Sequence, residues 1–380
     1  MAKATELLCK MNETLDRARP LLAVCIPTHN RRIVLEECLE SVLPQAQALG
    51  VGVCVSDNGS SDGTWQALET LKLQYPWMQI VSHTRDIGYR DNLTGAVLSS
   101  RAQYVWPIGD KAVLLPEALE FVVAELVRLH PDAVIVNSPG RVVSTVEKVY
   151  STPRSCLTEL GWHVTLLGAT VLPRQALIDV LHVQSLSRDF PQVVAFFSYL
   201  ASLSAPRVLV AGRVLIRYGE RAIETHVTGY WARHVLTTFG RNWYDAVMSL
   251  PAPYSTNDKL QVIRSHSQHT GIFGLVGLMR LRAGGQLTLQ QLNADQVPLR
   301  AAVSAPWWLA VIISVMPRWM MYPVTRVYPQ RVLRGNATQT SIAAWAASAS
   351  ERSWKACNPT ESSLWRWCCR PSEVSRGGLQ

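Results

Sequence analysis

Short apolar runs recur through the first 140 positions: Leu21 to Pro27 (LLAVCIP), Gly52 to Asp57 (GVCVSD), Gln79 to His83 (QIVSH), Tyr104 to Ile108 (YVWPI) and Ala133 to Asn137 (AVIVN). Their length and valine and isoleucine content predict strands. Between them, stretches near 33–48, 62–75, 91–101 and 116–130 space their apolar residues by three and four, as in EALEFVVAELVRLH, and predict helices. Strands alternating with helices of this length make a parallel α/β sheet. Ligands of such sheets bind beyond the carboxyl ends of the strands. Polar clusters follow three of the runs: Thr28-His29-Asn30-Arg31, Ser56-Asp57-Asn58-Gly59-Ser60 and Gly109-Asp110-Lys111.

From about 140 to 300 the pattern is less regular, with helices expected near 173–183, 190–203 and 229–249 and no internal repeat. Ala301 to Val324 is apolar and rich in tryptophan, but Pro306 and Pro317 leave only ten residues between them. A spanning helix needs about 20. Two readings of this segment stand side by side: docking of 301–334 on the cytosolic face of a membrane, and a packed helix covering the sheet. Beyond Arg326 the chain is polar and basic, and poor order is expected.

Composition narrows the function. With 48% apolar residues in 380, disorder is excluded as the main state. A formal charge of +9 implies acidic partners: nucleotide phosphates, anionic lipid or nucleic acid. Nucleic acid is set aside, because the chain has no zinc-finger spacing, no aromatic-basic RNA platform and no basic recognition helix. The eight cysteines, at 9, 25, 38, 54, 156, 357, 368 and 369, lack zinc-type spacing and read as thiols of a reducing compartment. The N-terminal stretch is broken by charges too often for a signal peptide, so the catalytic part is expected to face the cytosol.

The run AVCIPTHNRRIVLEECLESVLPQ followed by VCVSDNGSSDGTWQAL resembles the opening of the family 2 glycosyltransferases, inverting enzymes of the GT-A fold. The likeness continues through NLTGAV and YVWPIGDKAVLLPEALEFV, and is nearest to bacterial abequosyltransferase-like cell-surface polysaccharide transferases. It implies an α/β GT-A fold with a mostly parallel sheet flanked by helices and a helical C-terminal extension. The expected layout is a lead-in at 1–19, a GT-A domain at 20–210 with its donor half at about 20–130, a helical acceptor-side or membrane-proximal region at 211–330, and a basic tail at 331–380. The implied partners are a nucleotide-sugar donor and a glycan or lipid-linked acceptor, met in the cytoplasm or on the inner membrane face.

The resemblance also assigns residues. Pro27, Thr28, Asn30 and Arg31 line the nucleobase pocket in the family, where the plain alternative is a turn and helix cap. Asp57 resembles the acid that contacts base or ribose, beside Asn58, and Asp62 either helps shape that pocket or caps a helix beginning at Gly63. Asn92 matches the family, whereas Arg90 and Asp91 stand in reverse order. Where relatives carry Gly-Asp-Asp-Asp, this chain has Gly109-Asp110-Lys111-Ala112, which leaves one carboxylate for Mg2+ or Mn2+ and offers Lys111 as the alternative cation. Asp189 falls where family enzymes place the general base, or caps the helix after Phe190. Trp162 and His163 resemble an acceptor-side segment, His163 also fitting a metal ligand, a phosphate contact or a structural histidine. The incomplete acidic element keeps a noncatalytic, nucleotide-sugar-binding domain open as the competing function. A nucleotidyltransferase of similar topology would open with a Gly-rich phosphate loop, and PTHNRR has no glycine.

Overall fold

The computed structural model describes residues 19–181, 189–225 and 230–324, so most of the expected lead-in and the whole 331–380 tail lie outside the described residues. The first strands are β1 (Leu22–Thr28), β2 (Gly52–Asp57), β3 (Gln79–Ser82), β4 (Tyr104–Pro107) and β5 (Ala112–Leu114). They are followed by β6 (Ala133–Asn137), β7 (Lys148–Tyr150), β8 (Thr170–Pro173), β9 (Val208–Val214) and β10 (Ile216–Tyr218). Eight of them form one sheet in the order β3-β2-β1-β4-β8-β6-β9-β7, while β10 and β5 pair separately and antiparallel. The donor half, β3-β2-β1-β4, is all parallel. β8 then runs antiparallel to both of its neighbours.

Alternation along each central strand explains why helices cover both faces. Leu22, Val24 and Ile26 of β1 join one apolar cluster, whereas Cys25 joins the other. Val53 and Val55 of β2 divide from Cys54 in the same way, as do Val134 and Val136 of β6 from Ala133 and Ile135. Successive side chains of a strand point to opposite sides, so a strand apolar at every position needs cover on both. One face receives helices Arg32–Leu49 and Ala118–Leu129 through Leu35, Leu39, Val42, Leu119 and Val122. The other receives helices Tyr89–Ser99, Arg174–Leu181 and Pro191–Ala201 through Leu93, Val97, Leu177, Val193 and Phe196, together with the helices after 230.

Three expectations need correction. The boundary at 210 falls inside β9, and β10 extends strand structure to Tyr218, so the stretch after 210 is not helical from its start. The helix expected at 229–249 is three pieces within its described part: a 3-10 turn at Tyr230–Arg233, a π-helix at Leu236–Asn242 and an α-helix at Trp243–Met248. The expected strands also omitted β5, β7, β8, β9 and β10. β5, β7 and β10 have three residues each, too short to show a period.

Of the two readings for 301–324, packing holds on one side, but against helices Leu275–Ala283 and Leu289–Ala294 rather than as a cover for the sheet. Helix Trp307–Val315 buries Ala310, Ile313 and Ser314. No single helix among the described residues is long and apolar enough to cross a membrane.

Candidate active site

Three strand ends meet at Thr28. Its carbonyl accepts the Asn58 backbone N–H (3.0 Å) and the Asn92 side-chain amide (3.0 Å), tying β1 to the loop after β2 and to helix Tyr89–Ser99. Its hydroxyl donates to Asp110 Oδ2 at 3.1 Å, which brings in the turn after β4. That turn is fixed from both sides: the Ile108 N–H donates to Cys25 O at 3.0 Å and the Gly219 N–H to Lys111 O at 2.8 Å. Asn92 is buried, and its carbonyl oxygen has no partner.

Asp110 is buried, and Arg31 spans both of its oxygens at 2.9 and 3.3 Å. Lys111 lies in the field of the same pair. Burial, and then the Arg31 charge, lower its pKa to about 8 against the opposing pull of Asp110. The family resemblance implies a divalent ion here. The donor set does not fit one: the single carboxylate is closed by a guanidinium and a hydroxyl and adjoins a lysine. Among the described residues no three His, Cys, Asp or Glu side chains stand together as a metal group.

Asp57 is buried at the end of β2, where it accepts the Ser60 hydroxyl and the Ser60 N–H at 3.3 Å. Asn58 donates to Asp86 at 2.6 Å and accepts the Ile87 N–H at 2.8 Å. Gly59, at φ +70°, lets this loop lie on the Arg85 backbone, where a Cβ would come within 2.8 Å of a backbone carbon. Asn30 also adopts a left-handed conformation (φ 51°) and accepts the Ser61 N–H at 2.7 Å. The loops after β1 and β2 therefore form one interlocked rim, with Pro27 buried next to the end of β1.

Asp62 serves two helices. Its Oδ2 accepts the Arg32 N–H (3.0 Å) at the start of helix Arg32–Leu49, and its Oδ1 accepts the Thr64 N–H (3.1 Å) at the start of helix Thr64–Gln74. Burial alone would raise this carboxyl, but the bonds from Arg32 and Thr64 outweigh it and hold it below its ordinary value. The expected cap at Gly63 is thus a brace between two helix ends, and Gly63 itself is the N-cap.

Asp189 does not cap the helix behind it, whose N-cap is Phe190 with no side-chain bond. It accepts instead from the Asn242 amide at 2.5 Å, at the end of the π-helix. The Tyr89 hydroxyl is pushed above the ordinary tyrosine value by desolvation, and then by the charges of Asp189 and Asp110. Sequence reasoning missed Tyr89 and Asn242; the first sits unremarked in GYRDN, and the second is 53 residues from its partner.

His163 must be reassigned from the acceptor side to the core. It is fully buried, and Nε2 contacts Val136 O at 2.8 Å. Burial and the Arg141 charge lower its pKa to about 3 despite that carbonyl, so it is neutral and structural. Trp162 does reach a cavity of about 490 Å3, lined also by Gly140, Val142, Val143, Tyr150, Glu159 and His269. Its indole stacks on His269 (4.2 Å, 6°) and lies under Arg141 at 5.2 Å. Arg90 and Asp91 pair with each other at 2.9 Å.

Residues 23–177 match the model described as Glycosyl transferase family 2. Abequosyltransferase RfbV of Salmonella typhimurium is 32% identical over 101 residues, which cover 26% of this chain and 30% of that protein. Chondroitin synthase of Escherichia coli is 31% identical over 113 residues, 30% of this chain and 16% of that one. The chain thus aligns to less than a third of either relative. The crystal structure of S. aureus TarS residues 1–349 in complex with UDP-GlcNAc superposes with a TM-score of 0.52, covering 88% of this chain and 92% of that one at 14% identity, a likeness of fold.

Proposed function

We propose, on the match of residues 23–177 to the Glycosyl transferase family 2 model, that the chain moves a sugar from a nucleoside-diphosphate donor to a glycan or lipid-linked acceptor, with inversion, in cell-surface polysaccharide synthesis. The observation that carries this reading is the convergence of Asp57, Arg31, Asp110 and Asn92 on Thr28 and its neighbours at the carboxyl edge of β1, β2 and β4.

Asp57, with Ser60, is the acceptor for donor hydrogens on base or ribose. Arg31 and Lys111 sit beyond it, where the diphosphate would lie. As the glycosidic bond breaks, negative charge grows on the leaving diphosphate, and cations held in a desolvated site meet it without rearranging. Asp189 is the general base: it takes the proton of the acceptor hydroxyl while that oxygen attacks the anomeric carbon from the face opposite the diphosphate. Asn242 holds the carboxylate in place by bonding one of its oxygens and leaving the other for the acceptor. Buried free thiols at Cys25, Cys38, Cys54 and Cys156 support a cytoplasmic site of action.

The test is turnover by the purified chain on a panel of nucleotide sugars, read as nucleoside diphosphate release with a lipid-linked or glycan acceptor present. A second reading, a noncatalytic nucleotide-sugar-binding domain, draws support from the closed Arg31–Asp110 pair. Donor binding without release of diphosphate across the panel would favour it.

A further inference from the structure

Helix Trp307–Val315 is apolar on every side, yet only one side is covered. Ala310, Ile313 and Ser314 face the domain. Trp308, Ile312 and Val315, at spacings of four and three, stand on the opposite side and are 61%, 46% and 57% exposed. The following 3-10 turn, Arg318–Met321, adds Trp319, 64% exposed, and Met320. A helix apolar all round is ordinarily buried within a protein or in lipid. A contiguous patch with two exposed indoles marks a contact surface rather than chance exposure.

Charge identifies the occupant. From Gln296 to Val324 the only charged residues are Arg300 and Arg318, with no acid among them. They bracket the helix: Arg300 lies over the Trp307 ring at 5.2 Å, and Arg318 follows Pro317 and bonds the Ala283 carbonyl at 3.0 Å. The sequence then continues TRVYPQRVLR, with three more arginines and no acid. A second copy of this surface would bring arginines against arginines. The segment 325–380 of the same chain is also a poor complement, since it carries eight basic and three acidic residues. Anionic lipid headgroups supply the missing charge, and indoles settle where headgroups meet acyl chains.

We propose that the face formed by Trp308, Ile312, Val315, Trp319 and Met320 docks in the interface of an anionic bilayer, with Arg300 and Arg318 at headgroup level. The helix lies along the surface rather than across the membrane. It meets helix Gln296–Ala302 at 117°, so the pair does not form a straight span. This inference is independent of the catalytic reading and survives if that reading fails.

The experiment is flotation of the full chain with vesicles of phosphatidylcholine alone and of phosphatidylcholine mixed with phosphatidylglycerol, at low and high salt. The expected result is co-flotation with the anionic vesicles that weakens as salt rises. Replacing Trp308, Ile312 and Trp319 together by serine should reduce it on the order of 100-fold, because three interfacial side chains are lost. These positions are exposed, so the variant should melt within a few degrees of the parent, and circular dichroism checks that it has folded. A parent that stays in solution at low salt overturns the proposal, as does a folded triple variant that floats equally well. Equal flotation with neutral vesicles overturns the anionic partner. Self-association through this face, seen by sedimentation without flotation, assigns it to a second copy instead.

Discussion

The Arg31 guanidinium lies 2.9 Å from Asp110, and the two residues come from loops 79 positions apart that follow different strands. Asp110 is buried, while Arg31 keeps about a quarter of its side chain in solvent. The ion pair occupies the place where the family resemblance implies a run of acids. Removing the exposed partner would strand the buried one, so Arg31→Ala should cost about 1–3 kcal/mol of stability, read from urea unfolding. It should also weaken nucleoside diphosphate binding. A variant as stable as the parent would show that Thr28 and Lys111 suffice to hold Asp110.

Loss of the Asp57 carboxylate would leave a donor N–H or O–H of the nucleoside unpaired. Asp57→Ala is expected to weaken nucleoside diphosphate binding by about 1–3 kcal/mol, measured by calorimetry. Unchanged affinity would remove Asp57 from the nucleotide site and leave it only the task of holding Ser60.

For the proton-accepting role, Asp189→Asn should leave donor binding near normal and lower turnover by a factor on the order of 100 or more. Asn242→Ala is the companion variant. Its expected signature is a lowered kcat with donor binding near normal, since the carboxylate loses the amide that orients it. Full turnover in Asp189→Asn would end the assignment.

Lys111 gives the site a dependence on alkali. Burial and Arg31 depress its pKa to about 8, so the ammonium is present below that pH and lost above it. Nucleoside diphosphate affinity should therefore fall as pH rises through about 8, and Lys111→Met should start weaker and show a flatter profile. Turnover should also survive chelator in part. Full activity in Lys111→Ala together with complete loss in chelator would make Asp110 a conventional metal anchor and Lys111 a bystander.

Acid acts on the core through His163. Its pKa in the fold, about 3, lies below the ordinary histidine value, so between about pH 6.5 and 3 the unfolded chain takes a proton that the native state refuses. Stability is complete above that window and is lost as pH falls through it, by about 1.4 kcal/mol per pH unit for each such histidine. His266, lowered by burial and by Arg141, adds to the same slope. Denaturant midpoints measured between about pH 7 and 4 should fall more steeply in the parent than in His163→Gln; parallel slopes would refute the assignment.

The donor half was legible because its signals are local. Each strand from β1 to β4 is an apolar run, and each polar cluster follows one directly, so Thr28, Asp57 and Asp110 could be placed at one edge by order alone. The family opening supplied the rest of that half. What escaped depends on distance or on absence of pattern. Nothing in Asp189 or Asn242 announces their bond, and the π-helix that brings Asn242 round has no periodic signature. Asp62 was expected at one helix end and holds two, because the second, at Arg32, is 30 residues away. His163 shared a segment with Trp162, but adjacent helix positions face different ways: the indole reaches a cavity while the imidazole points to Val136.

The register of the sheet has a kinetic consequence. The β1–β2 and β2–β3 pairings close separations of 29 and 25 positions, whereas β1 meets β4 across 82. β8 reaches back to β4 across about 68 positions, and β9 pairs with β6 across 75. Closing a long loop costs chain entropy before its contacts repay it, so pairings of this kind form late. The β1-β2-β3 edge with Thr28 and Asp57 should therefore assemble first on refolding, and the β4 turn that carries Asp110, with the half that carries Asp189 and its amide partner, should lock in afterwards. A ligand that needs Asp110 or Asp189 would then slow unfolding without speeding refolding.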